Sequence, residues 1–560
     1  MAFPFLRRSG TLPRLCGLLV ILATGALFAL VGCFALPVLW SAQGGLIFSW
    51  SWRPPTDFGI LPMLAGSLIL SFSALLLAWP LSLGLACALQ DPAPACWQKW
   101  LTGLIRFMTA IPTVVYGFAA VFLLTPLVRE AAGGSGLCWL SAACVLALLI
   151  SPTMVLVMDV ALREQMRRLL LPALSLGMGR NTVLACLALP AVRRWLLTAG
   201  LLGFGRAIGD TLIPLMLSGN APNVPHNLFA GLRTLTAHMG LVTATDVGGP
   251  AYNSLFVAGG LLLCISTGVS LVLRRLEKKQ DVLLPPVPAF WRRLAPAGLH
   301  LLARGAGILC SACVLALLGF LLWRGLPVLD AALLVGDAPF WPALLGRFPI
   351  WDGIWPACLG TLCLLGITMA LALVPGIGCG IYLAEYAPPR MQRLLNSLMD
   401  ILSGVPSIVM GIFGFTLILF LHRLGFAGAS SGLLLAGGCL ALLVLPALVV
   451  TTRTALESLP ASLRLCGAPA AAPGQPRHPE RRHAGPGPFR RGHGRHPAHR
   501  RGGQRRAPRR AGPALRSPAL FHLLHGCPIP DTGRTATGLR RRPDPAGPFR
   551  RPAPAGLVAA

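Results

Sequence analysis

Long apolar runs separated by short polar segments recur along most of this chain. Each run has about 20 residues or more, which is the length that an α-helix needs to cross a bilayer. In the first half of the chain the predicted spans are 15–40, 59–89, 104–127, 137–157, a fifth that begins near Arg194, and 254–273. About four similar runs follow after residue 304. The pattern predicts an all-α, polytopic membrane protein with six spans followed by about four.

Basic residues are distributed unevenly around these spans. The segment before the first span carries Arg7, Arg8 and Arg14, and six arginines lie between spans four and five. The segments on the opposite side carry few, such as Arg129 and Arg233. Because cytoplasmic loops of membrane proteins carry the excess of Lys and Arg, we expect a multi-pass protein with a cytoplasmic N-terminus.

Composition limits the chemistry of the chain. With 55% hydrophobic and 12% charged residues, it is too apolar for a soluble protein. None of the three lysines, Lys99, Lys278 and Lys279, follows a glycine, so the chain lacks a Walker A phosphate-binding loop. The cysteines show no zinc spacing with His. We therefore predict no catalytic residue, no metal and no cofactor in this chain, with any ATP bound by a partner subunit.

Two opposite charges lie in the fifth apolar segment. Arg206 and Asp210 are four residues apart and would share one face of a helix. If that helix starts near Arg194, Arg206 lies roughly 18 Å along it. A charge at such depth usually faces a bundle interior or a water-filled path. The pair either locks two helices together or has a role in substrate passage or gating.

The chain also contains an internal repeat. A shift of 294 residues, the difference between 111 and 405, aligns 59–62 with 353–356, 111–117 with 405–411, and Pro152 with Pro446. Parallel repeats of this kind favour two helical bundles around a pseudo-two-fold axis along the membrane normal. Within the repeat, Pro112-Thr113 corresponds to Pro406-Ser407. These four residues either kink helices or line a pathway.

Two motifs resemble a known family. Gly177 is followed thirteen residues later by Pro190, preceded by Leu189, and this step resembles the cytoplasmic coupling loop of bacterial ABC importer permeases. The run from Gly205 to Thr211, which contains Arg206 and Asp210, followed by Gly219-Asn220, resembles the phosphate-importing (Pst) branch. The resemblance implies that Gly177, Leu189 and Pro190 shape the loop that contacts the ATPase. It further implies that Arg206 meets the anion and that Asp210, where the family usually has Glu, orients it.

The second half resembles the other Pst subunit. Residues 380–386 and 402–409 are similar to the A-type permease, whereas the first half is similar to the C-type. We expect a C-type unit of six spans at 1–289, a cytoplasmic linker at 290–304 and an incomplete A-type unit of about four spans at 305–468. The chain thus resembles a fusion of two permease subunits.

The last stretch, 469–560, differs abruptly in composition. It holds 19 arginines, no lysine and three acidic residues, among many Pro, Gly and Ala. We predict that it is disordered. The repeat ends within a motif, and this composition is typical of a GC-rich gene read out of frame, so we favour a frameshift near codon 468. The alternative is an evolved basic tail that binds anionic lipid or nucleic acid.

The resemblance implies a function. We expect the membrane-spanning permease subunit of a phosphate ABC importer in the bacterial inner membrane, passing inorganic phosphate inward. Its expected partners are cytoplasmic ATPase subunits, a periplasmic phosphate-binding protein, a separate A-type permease subunit and membrane lipid, without nucleic acid. Two alternatives stay open: a permease for another oxyanion such as tungstate or phosphonate, and a non-transporting membrane scaffold or sensor of phosphate status.

Overall fold

The computed structural model describes residues 11–459, apart from gaps at 41–44, 46, 55, 92–93, 246–250, 279–288, 345, 348–352 and 427–431. The stretch 469–560, with its predicted disorder and frameshift, lies outside the described residues, as does the basic segment 1–10. The described part of the chain lies within one compact unit.

The first half contains eleven helices and one small hairpin in the described residues. They are α1 (Thr11–Trp40), an antiparallel pair of β1 (Trp52–Arg53) and β2 (Asp57–Phe58), α2 (Leu61–Ala88), α3 (Ala95–Ala110), α4 (Thr113–Ala132), α5 (Trp139–Ser175), α6 (Arg180–Val183), a π-helical turn (Leu184–Ala188), α7 (Leu189–Ala191), α8 (Arg193–Gly209), α9 (Leu212–Leu217), α10 (Leu235–Thr245) and α11 (Tyr252–Lys278).

The second half follows with fewer elements in the described residues. They are α12 (Ala289–Gly325), a 3-10 turn (Leu326–Val328), α13 (Ala331–Val335), α14 (Phe340–Leu344), α15 (Trp355–Ile381) with a π-helical turn (Tyr382–Tyr386), α16 (Pro389–Ser403), α17 (Ser407–Arg423) and α18 (Leu433–Glu457).

Eight of these helices are long and apolar enough to cross a membrane. Two bent pairs raise the number to ten if each pair is one span: α6–α7 with α8, bent by 70°, and α16 with α17, bent by 102°. Counted in this way, six spans lie in the first half and four in the second. The all-α, polytopic fold with six and about four spans is confirmed.

The third and fourth predicted spans differ from the structure. Span three, predicted at 104–127, is broken between α3 and α4 because Pro112 disfavours a helical conformation in the residue before it. Ile111 is accordingly extended, with φ −70° and ψ 126°. Span four continues as α5 to Ser175, eighteen residues beyond its predicted end at 157, so part of the predicted inner loop is helical.

The first helix of each half packs against the other half. In the stretch assigned to the linker, α12 is already helical, and it lies on α2 where Gly84 faces Leu302 and Ala306. Conversely, α1 packs on α15, with Cys16 against Gly378. The glycines allow close approach of the helix backbones, as is common between membrane helices. Because of this exchange, the two halves form one structure, and the site described next lies between them.

Candidate functional site

A cavity of about 700 Å³ lies between the two halves. The first half contributes α5, α8 and α11, and the second contributes the corner between α16 and α17 together with α18. It is lined by Thr153, Leu201, Leu202, Gly205, Arg206, Gly209, Asp210, Ser266, Val269, Ser270, Leu273, Asp400, Ser403, Gly404, Val405, Pro406, Ser407 and Leu443. The structure thus brings together four of the residues that the sequence singled out: Arg206, Asp210, Pro406 and Ser407.

Among the described residues that line this cavity, Arg206 carries the positive charge. It lies thirteen residues after Arg193, where α8 begins, and hence roughly 20 Å along the helix. The side chain is partly buried, and its Nη1 donates a hydrogen bond to Oγ1 of Thr153 on α5 at 2.6 Å. A guanidinium has five N–H donors, so the bond to Thr153 leaves others for a ligand. Thr153 was not predicted, because a hydroxyl group within an apolar helix is common and gives no signal.

Asp210 also lines the cavity, but the expected pairing with Arg206 on one helical face is wrong. The helix α8 ends at Gly209, and Asp210 is extended, with φ −74° and ψ 136°. Its Oδ2 accepts a hydrogen bond from the backbone N–H of Ile213 at 3.0 Å. Both charged residues are described, and no Arg206 nitrogen lies within 4.0 Å of an Asp210 oxygen.

Pro214 explains this break. In a continuous helix the ring of a proline clashes with the carbonyl group four residues earlier, which here belongs to Asp210. The chain leaves the helix at that residue, and the freed carbonyl oxygen accepts a hydrogen bond from Oγ1 of Thr236 at 2.8 Å. The interruption thus lies four residues before Pro214. Arg206 therefore meets the cavity from α8, whereas Asp210 meets it from the extended residue that follows this helix.

The second half provides a helix N-terminus. Pro406 is extended, with φ −60° and ψ 141°, and α17 begins at Ser407 without a side-chain cap. The first N–H groups of a helix have no partner within it, and the helix dipole makes this end positive. Since Pro406 and Ser407 line the cavity, this end of α17 adds a positive potential to that of Arg206.

The repeat-related residues Pro112 and Thr113 have a different environment. Pro112 separates α3 from α4 just as Pro406 separates α16 from α17, but Pro112 is exposed and neither residue lines this cavity. The difference arises from the neighbours: Pro406 packs near Gly209 of α8. The repeat predicted equivalent positions, yet it does not predict which of the two would meet a cavity.

The predicted coupling loop joins α5 to α8. Gly177 has φ +79°, a left-handed conformation that glycine adopts without steric cost. Leu189 and Pro190 form the start of α7, before the 70° bend into α8. On the α5 side, Leu176 is 81% exposed. The loop is held to the first half by Arg180, whose Nε donates to the backbone oxygen of Gln90 at 3.1 Å.

The cavity contains several groups that can bind an anion. Its polar groups are one guanidinium, two carboxylates, hydroxyl groups and the helix N-terminus. Among the residues that the structure describes, no group of three or more His, Cys, Asp or Glu side chains is placed to hold a metal ion. Such an arrangement can bind a small anion by hydrogen bonds and charge.

Comparisons with known proteins identify the family of this chain. Residues 81–282 match the family model described as binding-protein-dependent transport system inner membrane component. The chain is 30% identical over 275 residues to the probable ABC transporter permease protein YqgH of Bacillus subtilis, covering 48% of this chain and 89% of that protein. No solved structure matches it.

Other relatives carry more specific names. The phosphate transport system permease protein PstC of Pasteurella multocida is 28% identical over 263 residues, covering 42% of this chain and 82% of that protein. PstA 1 of Mycobacterium tuberculosis is 38% identical over 112 residues, covering 20% of this chain and 35% of that protein. The chain therefore belongs to the family of binding-protein-dependent transport system inner membrane components, as a multi-pass permease of the Pst type.

Proposed function

We propose that this chain is the membrane-spanning permease subunit of a phosphate ABC importer and that inorganic phosphate passes inward through the cavity beside Arg206. The observation that carries this proposal is the position of Arg206, on the wall of a cavity of about 700 Å³ formed by both halves. ABC permeases are transport subunits rather than enzymes, and we propose that ATP is bound and hydrolysed by separate ATPase subunits.

The cavity fits a tetrahedral oxyanion. A guanidinium stays charged and presents paired N–H groups that match the oxygens of phosphate. The N-terminus of α17 is suited to an anion for the same reason as other helix N-termini. Hydroxyl groups of Ser403 and Ser407 can either donate or accept hydrogen bonds. Burying the charge of Arg206 at this depth costs free energy, and an anionic partner offsets that cost.

We propose a different partner for each side of the permease. We propose that the ATPase contacts the loop of Gly177, Leu189 and Pro190, where Leu176 exposes an apolar surface. A periplasmic phosphate-binding protein would deliver phosphate to the opposite side. A separate A-type permease subunit is a further proposed partner. We also propose that the chain lies in the bacterial inner membrane with its N-terminus in the cytoplasm.

One observation favours a second candidate, a non-transporting scaffold or sensor. The described residues of the second half contain four candidate spans against six in the first. Halves that differ in this way within the described residues suit a protein that reports phosphate status without moving phosphate.

A transport assay separates these functions. The full chain is reconstituted in lipid vesicles with the ATPase and phosphate-binding protein of the source organism, and uptake of radiolabelled phosphate and tungstate is measured with and without ATP. We expect ATP-dependent accumulation of phosphate. Accumulation of tungstate in preference to phosphate would support the other oxyanion, and ATP hydrolysis without uptake of either anion would overturn the importer proposal in favour of the scaffold.

A pair of repeat-related substitutions tests whether the cavity is the pathway. Ser407→Leu places a branched apolar side chain at the helix N-terminus inside the cavity, and we expect phosphate uptake to fall about tenfold or more, a change of ~1.4 kcal/mol. Thr113→Leu makes the same kind of change at the equivalent position outside the cavity and should leave uptake near the wild-type rate. Equal effects of the two substitutions would show that the cavity does not determine transport.

A further inference from the structure

We infer that the cavity selects an oxyanion that still carries a proton, with Asp210 accepting a hydrogen bond from the hydroxyl group of that anion. The inference rests on the proposed function and names its substrate class: tetrahedral oxyanions with at least one hydroxyl group, such as hydrogen phosphate and phosphonates. Fully deprotonated dianions such as sulfate and tungstate are excluded from this class.

The charge balance of the cavity is the first observation. Among the described residues that line it, Arg206 is the cation, whereas Asp210 and Asp400 are carboxylates. An ionised carboxylate repels an anion, and the repulsion at a given distance grows as the dielectric constant falls. A site that only had to attract an anion would gain nothing from carboxylates on its wall.

Hydrogen-bonding capacity gives the carboxylates a use. Arginine only donates hydrogen bonds and an ionised carboxylate only accepts them, whereas a hydroxyl group does either. Inorganic phosphate retains at least one proton near neutral pH, so it has both acceptor oxygens for Arg206 and a P–OH donor for Asp210. A hydrogen bond from a hydroxyl group to a carboxylate is short and strong because it is charge-assisted. Sulfate has only acceptors, and it would place oxygen against oxygen.

The geometry assigns this role to Asp210. Its Oδ2 is fixed by the N–H of Ile213 at 3.0 Å, and its backbone oxygen by Thr236 at 2.8 Å. A carboxylate has about four lone-pair sites, so the bond to Ile213 leaves acceptor capacity for a ligand. Because no Arg206 nitrogen lies within 4.0 Å of Asp210 in the described structure, the two groups do not form an ion pair with each other, and both line the cavity.

A second acidic residue lines the cavity. Asp400 lies on α16, on the wall formed by the other half. Its backbone oxygen accepts hydrogen bonds from the hydroxyl groups of Ser270 and Ser403, at 3.2 and 2.8 Å, which fixes its place in the chain. Each half therefore contributes one acidic residue to the cavity wall. Sites that hydrogen-bond a ligand hydroxyl group reject an analogue without it strongly, because their own polar groups are then left unpaired.

Binding measurements on the permease alone test this selection, since a phosphate-binding protein would impose a preference of its own. The full chain is purified into lipid nanodiscs, and displacement of radiolabelled phosphate by unlabelled phosphate and by sulfate is measured for wild type and Asp210→Asn. We expect wild type to bind phosphate in strong preference to sulfate. The asparagine amide can donate to a sulfate oxygen, so the substitution should reduce the preference at least about tenfold.

Two controls guard against indirect effects. Asparagine retains a carbonyl oxygen that can accept the hydrogen bond from Ile213, so Asp210→Asn is expected to keep the fold, as thermal melting can verify. Asp57→Asn makes the same change in the hairpin, away from the cavity, and should leave the preference unchanged.

Each outcome has a distinct meaning. An Asp210→Asn protein that binds phosphate with the wild-type preference over sulfate would overturn the inference. Equal binding of phosphate and sulfate by wild type would also overturn it, while the proposed phosphate pathway would stand. If wild type bound neither anion, the pathway itself would be contradicted and the inference with it.

Discussion

Replacing Arg206 with lysine should reduce phosphate uptake by roughly 100-fold or more, the size of loss that follows removal of an aligned electrostatic donor. The substitution keeps the positive charge but removes the planar fork. A lysine ammonium is a compact, strongly hydrated group that does not replace bidentate recognition. The substitution also removes the hydrogen bond that Nη1 of Arg206 donates to Oγ1 of Thr153 at 2.6 Å. The measurement is initial uptake in reconstituted vesicles, normalised to the amount of permease.

The matched control for this substitution is Arg168→Lys. Arg168 is an exposed arginine on α5 that pairs with Glu164 at 2.7 Å, and exposed pairs of this kind contribute little. Uptake by this variant should equal that of wild type. Near-normal uptake by Arg206→Lys, with unchanged expression, would remove Arg206 from the transport mechanism.

Replacing Gly84 with leucine should strongly reduce the yield of folded protein. A Cβ atom at this position would lie 2.6 Å from Cβ of Ala306 and 2.7 Å from the backbone oxygen of Leu302. These atoms belong to a helix backbone and its shortest side chain, which cannot rotate away. Overpacking of a close interface costs about 1–3 kcal/mol or more, and here it would separate α12 from α2. The measurement is the yield and melting temperature of purified protein.

Gly25→Leu is the control for this prediction. Gly25 lies within α1, and a Cβ atom there would have no neighbour within 4 Å. Leucine is a better helix former than glycine, so yield and melting temperature should be unchanged or slightly higher. If Gly84→Leu behaved like Gly25→Leu, α12 would not pack on the first half as described.

The span pattern could be predicted from the sequence because bilayer thickness sets the length of an apolar helix. The boundaries were less accurate where prolines occur. Pro112 breaks span three at its preceding residue, and Pro214 breaks the fifth segment at Asp210. The packing of α12 on α2 was also missed, because the sequence of an apolar helix indicates that it lies in the membrane but not which helix it contacts.

The candidate site was predictable only in part. Arg206 stands out because a guanidinium in an apolar segment is costly. Its partner Thr153 and the cavity residues Ser270 and Asp400 do not stand out, since hydroxyl groups and helix-end carboxylates occur throughout such proteins. The cavity depends on contacts between residues about 200 positions apart, such as Gly209 with Pro406, and local sequence patterns contain no such information.

Chemical modification of Arg206 tests the central claim most directly. Phenylglyoxal reacts with guanidinium groups that water can reach, and mass spectrometry of peptides from the full chain in vesicles reports the rate at each arginine. If Arg206 meets phosphate in a water-filled cavity, it will be modified, and added phosphate will slow its modification severalfold without affecting exposed Arg168. A rate at Arg206 that phosphate leaves unchanged, or slows no more than at Arg168, would contradict the account.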